Sequence, residues 1–387
     1  MITTRRTPDV QLDELLTFAW QMNRGRGHQP KVGRDGRKMG QKDLLASLLS
    51  KQTSIKGLRA AILLTVLLLF CAFAANILAA DDNKPANKTA PAGKTAAEEL
   101  PKPEDVTLQT ADSVQLAATY YRGGKGKESI PIVLLHGWKH NRTDYTKDFA
   151  PFLQSKGFAV IVPDLRGHGD STRLKTLHGK DETLDAATLA PNQFNLMAYQ
   201  DLKAVKEFLW EKNNAGELNL DKLCLVGAEM GASIALEFAW YDAVGYDQGA
   251  PEYGSLKLGR FVKALVLISP ETSFKGISIR HAVQNPAVRN DISVLILLGN
   301  GDNKALSEAK RVYSIFERDH PKPDPEKKAD QQTLFFTPLE TKLQGANLLT
   351  EKNLKTEEII NAFLNLRLVK SDAAKSWLWK ERKLPHQ

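Results

Sequence analysis

The stretch at residues 223–236 constrains the fold of this chain more than any other. A short apolar run is followed by the turn Gly227-Ala-Glu-Met-Gly231 and then by a helical pattern, so the sequence predicts a strand, a sharp turn and a helix. Small residues around such a turn let the strand and the helix approach closely, and the middle residue is held exposed above the sheet. In this chain the middle residue is Glu229.

Short apolar strands alternate with amphipathic helices after residue 105. This alternation implies right-handed crossovers, and it predicts an α/β fold with a mostly parallel central sheet and helices on both faces. An N-terminal β-hairpin is predicted first, because only Ala-Asp-Ser separates its two strands. The predicted strands are residues 106–110, 114–121, 130–135, 158–162, 220–226, 262–268, 292–298 and 333–337, and the predicted helices are 144–156, 196–212, 230–240, 304–316 and 355–368.

Charge and hydropathy divide the chain into five segments. The formal net charge is +8, and residues 1–59 carry +7 of it, because they hold twelve Lys and Arg against five Asp and Glu. The remainder is nearly neutral, so the folded domain is not predicted to bind nucleic acid. The segments are a basic leader at 1–59 without fixed structure, an apolar run at 60–80, a polar linker at 81–104, the folded domain at 105–368 and a C-terminal tail at 369–387.

The apolar run at residues 60–80 is uncharged and is preceded by Lys56 and Arg59. It is either a cleaved export signal or a membrane anchor, since about 20 apolar residues can span a bilayer. The protein is therefore predicted to be exported to the periplasm or the exterior, or to be anchored to the membrane by this run. A start at Met39 instead of Met1 would shorten the leader.

The residues predict neither a metal site nor a cofactor. The two cysteines, Cys71 and Cys224, provide no disulfide framework, and no Cys/His cluster has the spacing of a zinc site. The chain also lacks a Gly-rich phosphate loop and a dinucleotide fingerprint.

Three predicted strands end in distinctive motifs, at the sheet edge where chemistry gathers in α/β folds. They are His136-Gly137-Trp138, the segment Asp-Leu-Arg-Gly-His-Gly-Asp-Ser at residues 164–171, and the turn at Glu229. Together and in this order they resemble the α/β-hydrolase superfamily, over about residues 105–368. The resemblance places Glu229 at the position of the elbow nucleophile, which in G-x-S-x-G is a serine.

The resemblance also implies roles for other residues. The backbone N–H groups of Trp138 and Met230 would form the oxyanion hole, and Asp302 stands at the position of the catalytic acid. Glu271 is the alternative acid, and Asp302 could instead cap the following helix. The structural residues of the motifs are His136, Gly137, Gly227 and Gly231, with His168 in the second motif.

The catalytic histidine of the family is missing where it is expected. The loop at residues 338–349 has no histidine, and Gln344 or Asn347 lies near its position, although an amide cannot act as the base. His320 precedes the last strand and His386 is at the C-terminus. We expect the Glu229 carboxylate to fold into the oxyanion hole and accept both N–H groups, since a helix N-terminus favours negative charge.

Three functions remain open at this point. The first is an exported hydrolase-family protein that is non-catalytic or strongly impaired and binds a small-molecule or ester-like ligand or a partner. The second is an active esterase or lipase-like carboxylic-ester hydrolase that recruits His140, His178 or His281, with a small lid at residues 173–194. The third is an anchored interaction protein with a contact patch near Trp377 and Trp379.

Overall fold

The computed structural model describes residues 100–175, 181–248, 259–322 and 331–382. The leader at 1–59, the apolar run at 60–80 and nearly all of the linker at 81–104 lie outside these ranges. Within them, no helix is long and apolar enough to cross a membrane. The strands are β1 (Glu104–Gln109), β2 (Val114–Tyr121), β3 (Pro131–Leu135), β4 (Ala159–Pro163), β5 (Arg173–Leu174), β6 (Glu182–Thr183), β7 (Leu223–Ala228), β8 (Val262–Ile268), β9 (Ser273–Phe274), β10 (Ile277–Ser278), β11 (Ser293–Gly299) and β12 (Leu334–Leu339).

The helices follow the strands in the order that crossover connections require. They are α1 (Thr143–Thr146), α2 (Phe149–Ser155), α3 (Pro191–Leu196), α4 (Leu202–Asn214), α5 (Met230–Gln248), α6 (Arg280–Gln284), α7 (Pro286–Asp291), α8 (Asn303–Phe316), α9 (Thr356–Leu364) and α10 (Asp372–Ser376). Two π-helical turns, Met197–Asp201 and Asn365–Lys370, continue α3 and α9.

Ten strands of the described residues form one sheet, in the order β12-β11-β8-β7-β3-β4-β2-β5-β6, with β1 on β2. The strands from β12 to β4 are parallel to one another. β2 pairs antiparallel with β4 and with β1. The prediction of a mostly parallel α/β sheet is therefore confirmed.

Alternate side chains of the central strands enter two separate cores, one on each face of the sheet. In β3, Val133 and Leu135 join one core, whereas Ile132 and Leu134 join the other. All four are at most 1% exposed. Strands buried on both faces require helices on both sides, which explains why they read as continuous apolar runs in the sequence.

Two predicted helices are interrupted in the structure. The helix predicted at 144–156 is split into α1 and α2, because Asp148 between them has a non-helical φ of −127°. The helix predicted at 196–212 contains the π-helical turn, which carries the buried carboxylate of Asp201. Local propensity does not encode this turn. It is stabilised by a tertiary contact with Arg166.

Arg166, in the segment at residues 164–171, is the largest polar side chain that the fold buries completely. Its guanidinium lies 2.7 Å from Asp201 Oδ1 and 2.7 Å from Asp112 Oδ2. Its backbone N–H also donates to Asp201 Oδ2 at 2.9 Å. One arginine therefore links the turn after β4 to the β1–β2 connection and to the π-helical turn.

Residues up to Arg382 pack against the domain, although the sequence predicts a C-terminal tail at 369–387. Trp210 Nε1 donates to the Arg382 carbonyl at 3.0 Å, and Asn219 Nδ2 donates to the Trp377 carbonyl at 2.9 Å. The described chain thus closes over the end of the sheet at which the parallel strands begin. Residues 383–387, with His386, lie outside the described ranges.

We expect Arg166→Met to lower the free energy of unfolding by about 3–5 kcal/mol, because it leaves Asp201 buried without its charge partner. Lys203→Met is the matched control. It breaks a half-exposed pair with Glu207 and should cost at most about 1 kcal/mol. Urea unfolding of both variants measures the difference, and equal costs would contradict the structural role of Arg166.

Candidate active site

Glu229 occupies the turn between β7 and α5, and its backbone has a φ of +52°. A side-chain carbon on Gly227 would collide with the carbonyl of Gly231, and one on Gly231 would collide with the carbonyl of Leu135. The two glycines therefore allow the helix to start directly against the strands. This close approach forces Glu229 into the left-handed region, which non-glycine residues rarely occupy.

His136, at the end of β3, has a defined tautomer. The Leu165 N–H donates to its Nε2 at 3.1 Å, so the proton is on Nδ1, which donates to the Gly137 carbonyl at 2.8 Å. Complete burial, together with the charge of nearby His168, lowers the pKa of His136 to about 3. A neutral, fully bonded imidazole of this kind orients the loop at Gly137 and is not available as a base.

The Glu229 carboxylate lies between two glycines from different loops. A methyl group on Gly137 would be 2.5 Å from Glu229 Oε2, and one on Gly345 would be 2.9 Å from Oε1. Gly345 has a φ of +59° and lies in the loop after β12. The Glu229 side chain therefore fills the space between the loop after β3 and the loop after β12.

This placement differs from the expected hydrogen bonding in the oxyanion hole. The Glu229 carboxylate accepts no hydrogen bond from Trp138, Met230 or any other residue within the described ranges. The side chain instead occupies the space beside Gly137 and Gly345. Trp138 instead stacks under Lys275 Nζ, which lies 3.7 Å from its ring centroid.

The charge of Glu229 is disfavoured by its surroundings. Burial raises the pKa of the Glu229 carboxyl above its usual value, and the negative charges of Glu271 and Asp144 raise the same pKa further. Only nearby His140 opposes the rise. The elbow thus holds a carboxyl group that is easier to protonate than an ordinary glutamate.

His140 and Asp144 form a pair beside the elbow. His140 Nδ1 lies 2.8 Å from Asp144 Oδ2, and the His140 side chain is 42% exposed. A methyl group on Gly137 would be 3.6 Å from His140 Cδ2, so His140 and Glu229 face the same small space over Gly137. Among the histidines of the described ranges, His140 is the one brought to the elbow.

The loop after β12 is fixed by a short chain of hydrogen bonds. Ser269 Oγ donates to Gln344 Oε1 at 2.6 Å and accepts the Gly345 N–H at 3.0 Å. Gln344 Nε2 donates to the Gly299 carbonyl at 2.8 Å. Gln344 is therefore a structural amide that holds Gly345 against Glu229, while Asn347 is exposed.

Asp302 lies at the start of α8 and not in the site. Its carboxylate accepts the N–H groups of Lys304 and Ala305 at 2.8 and 3.1 Å, which is the geometry of a helix cap. The side chain is exposed, and no hydrogen bond or ion pair of the described residues joins it to a histidine. Glu271, the alternative acid, lies 3.4 Å from Lys304 Nζ and acts on Glu229 only through its charge.

The other described histidines have partners away from the elbow. His281 Nδ1 lies 3.4 Å from Glu237 Oε2, and its ring stacks on Trp240. His168 Nδ1 bonds to the Arg166 carbonyl and His320 Nδ1 to Thr333 Oγ1. His178, like the middle of the predicted lid, lies outside the described residues. No cluster of three or more His, Cys, Asp or Glu side chains in the described part of the chain could hold a metal ion.

Sequence reasoning did not single out Gly345 or the pairing of His140 with Asp144. The two residues are four positions apart, but His140 precedes α1, so helical spacing did not indicate the pair. Gly345 gave no local signal. Its role depends on a contact with a residue more than a hundred positions away.

Comparison with known proteins agrees with the order of these motifs. A family model described as the alpha/beta hydrolase fold matches residues 130–287, a range that contains the loop at Gly137 and the elbow at Glu229. The soluble epoxide hydrolase of Corynebacterium sp. (strain C12) is 31% identical over 121 residues, which are 31% of this chain and 32% of that protein. A non-heme chloroperoxidase of Burkholderia pyrrocinia is 36% identical over 74 residues, 19% of this chain and 25% of that protein.

The matched segments thus span about a third or less of these curated relatives. Among solved structures, an esterase of Pyrococcus furiosus covers 74% of this chain and 99% of its own, with 18% identity and a TM-score of 0.42. A fungal esterase from Rhizomucor miehei covers 70% and 85%, with 14% identity and a TM-score of 0.46. The family-model match over residues 130–287 and the curated matches support an α/β-hydrolase superfamily member.

We expect Gly345→Ala to destabilise the protein in two separable ways. The left-handed backbone costs about 1–2 kcal/mol for alanine, and the new methyl group would also press on Glu229. In a Glu229→Ala background only the first cost should remain, so unfolding free energies should show a coupling of about 0.5–3 kcal/mol.

Gly216→Ala is the control for this cycle. Gly216 has a φ of +75°, but its nearest neighbour is the flexible end of Lys127 at 3.3 Å. It should not couple to Glu229→Ala beyond about 0.5 kcal/mol. Equal coupling at both glycines would mean that the contact between Glu229 and Gly345 is not formed.

We expect Glu229→Gln to raise the free energy of unfolding at neutral pH. A carboxyl whose folded-state pKa is raised contributes stability below its unfolded pKa and loses it as pH rises through the folded pKa. The extra free energy of unfolding of Glu229→Gln over the wild type should therefore shrink as pH falls to about 4. Urea unfolding across pH measures it, and a loss of stability at neutral pH would contradict the buried-carboxyl assignment.

Glu308→Gln is a control of opposite sign. Hydrogen bonds from Thr272 lower the pKa of the Glu308 carboxyl, so this change should destabilise the protein at neutral pH. Its effect should fade on acidification, as the wild-type carboxylate also becomes protonated.

Proposed function

We propose that this protein is an exported, hydrolase-fold binding protein that has lost the serine-type ester hydrolysis of its superfamily. One observation carries the proposal: the Glu229 carboxylate fills the space between Gly137 and Gly345, where a serine nucleophile would meet its histidine. A ligand or partner could be bound at this edge of the sheet without being turned over.

The chemistry of the surrounding groups supports this reading. A general base must lie within hydrogen-bond reach of the proton that it removes. Gln344 cannot accept a proton, and it is held by Ser269 and Gly299. Asp302 is engaged as a helix cap. In this proposal the serine, the histidine and the acid of the usual triad are each replaced or diverted.

The charge pattern supports the export part of the proposal. The basic leader at residues 1–59 favours retention on the cytoplasmic side, and the uncharged run at 60–80 follows it directly. The hydrolase-fold domain would then lie on the opposite side of the membrane, either anchored or released by cleavage.

A second candidate function rests on the pair of His140 with Asp144. In hydrolases with a carboxylate nucleophile, the carboxylate forms an ester with an electrophilic carbon, and a histidine-activated water then hydrolyses it. Glu229 could attack such a carbon with release of the leaving group. Water deprotonated by His140 would then attack the ester carbonyl, release the alcohol and regenerate the carboxylate. One matched relative is a soluble epoxide hydrolase.

Turnover assays on the purified full-length protein separate the two candidates. We expect p-nitrophenyl ester hydrolysis no faster than that of Glu229→Ala, and no labelling by a fluorophosphonate. We also expect no ester on Glu229 after incubation with epoxides or alkyl halides, as read by intact mass. Hydrolysis of any of these compounds that disappears in Glu229→Gln would overturn the primary proposal.

The second candidate predicts a specific variant phenotype. His140→Gln should accumulate an ester adduct on Glu229, because a general base contributes about a hundredfold or more to the rate. His281→Gln is the matched control, since that histidine bonds to Glu237 away from the elbow. Adduct in neither variant would leave binding as the remaining function of the site.

A further inference from the structure

Three large hydrophobic side chains of the described residues are exposed, and they lie together. Leu100 is 42% exposed, Val369 41% and Leu378 68%. Val369 and Leu378 both line one cavity of about 340 Å³. Leu100 lies against Gly124, next to Lys125 of the same cavity. We call this region the basal surface.

The basal surface is rimmed by cations. Lys125 and Lys375 line its cavity together with Trp377, Lys222 lies in the same lining but is buried, and Glu128 is the one carboxylate there. Lys375 also pairs with exposed Asp372 at 2.8 Å. Beside the cavity, Lys127 Nζ lies 3.7 Å above the ring of Trp379. Tryptophans and lysines around an apolar patch are typical of a surface that contacts a membrane interface.

The basal surface lies at the edge of the sheet opposite to Glu229. Its cavity is lined by Ile130, Phe158 and Lys222, which directly precede β3, β4 and β7. Glu229 follows the other end of β7. A partner or membrane that covers the basal surface would therefore leave the candidate site at Glu229 open.

The chain also enters the described domain at this surface. Leu100 is the first described residue, and residues 81–99 connect it to the apolar run at 60–80. A fully extended chain of that length reaches at most roughly 65 Å. If the run at 60–80 stays in a bilayer, the linker keeps the basal surface within reach of the same bilayer.

We propose that the basal surface docks onto the anionic lipid bilayer in which residues 60–80 are embedded. Leu378, Val369 and Trp377 insert at the headgroup level, and Lys125 and Lys375 contact lipid phosphates. The elbow at Glu229 then faces away from the membrane. The inference rests on the anchored form of the proposed function, in which residues 60–80 are retained, and it adds an orientation of the domain that the proposed function does not specify.

The test uses the full-length chain in vesicles of phosphatidylcholine, with or without phosphatidylglycerol. A fluorophore is attached at Leu378→Cys in a Cys71→Ser background, where Cys224 is buried. Asn347→Cys, exposed on the opposite edge, is the matched control. Lipids with brominated acyl chains quench a fluorophore that reaches the bilayer. We expect at least a severalfold stronger quenching at position 378 than at 347, in vesicles with phosphatidylglycerol.

Charge reversal at Lys125 and Lys375 to Glu should remove most of this quenching without changing the unfolding transition. Equal quenching at the two positions, or none at 378, would overturn the docking. Self-quenching of the 378 label that depends on protein density would overturn it in favour of a second copy of the chain.

Alkaline carbonate extraction distinguishes a domain that does not dock from a chain whose residues 60–80 are not retained in the membrane. Release of the chain from the vesicles would contradict retention of residues 60–80 and overturn the docking with it. A chain that resists carbonate but leaves position 378 unquenched would overturn the docking alone.

Discussion

The close contact between β7 and α5 is the constraint on which the candidate site depends. Gly227 and Gly231 allow the helix to begin against the carbonyl of Leu135, and the turn between them can only be closed with Glu229 in the left-handed region. Such a backbone costs about 1–2 kcal/mol for a residue with a side chain. The fold retains this cost although the residue at its apex is not the serine for which the superfamily uses it.

The departures from the superfamily pattern are physically linked. The Glu229 side chain needs space at the elbow, and Gly345 after β12 supplies it, because a glycine leaves a gap where a side chain would meet the carboxyl. The chain Ser269–Gln344–Gly299 holds the backbone at that gap. A histidine in place of Gly345 would meet the Glu229 carboxyl directly. The changed elbow and the changed loop therefore fit each other, as parts of one altered site.

The sheet is well predicted from the sequence because the apolar pattern of each strand is contained in the strand itself. Apolar runs such as residues 262–268, which are β8 in the structure, are buried on both faces and need no partner to be recognised. The interruption of the helix at 196–212 could not be predicted, since it depends on Asp201 meeting Arg166 from another loop. In the site, the elbow and the loop at Gly137 were visible as motifs. The positions of Gly345 and His140 depend on contacts between loops, which no single stretch of sequence contains.

His140 is the residue that bears most directly on whether the candidate site can act on a substrate. If the elbow had only lost its chemistry, nothing would require a histidine beside it, because a side chain that is 42% exposed contributes little to packing. Asp144 holds its Nδ1 at 2.8 Å, so Nε2 is left as the nitrogen free to act as a base toward the space over Gly137. The raised pKa of the Glu229 carboxyl works in the opposite direction, because a protonated carboxyl is a poor nucleophile. A ligand that excludes water without supplying a positive charge would raise that pKa further, so binding of neutral ligands and nucleophilic attack by Glu229 oppose each other in this site.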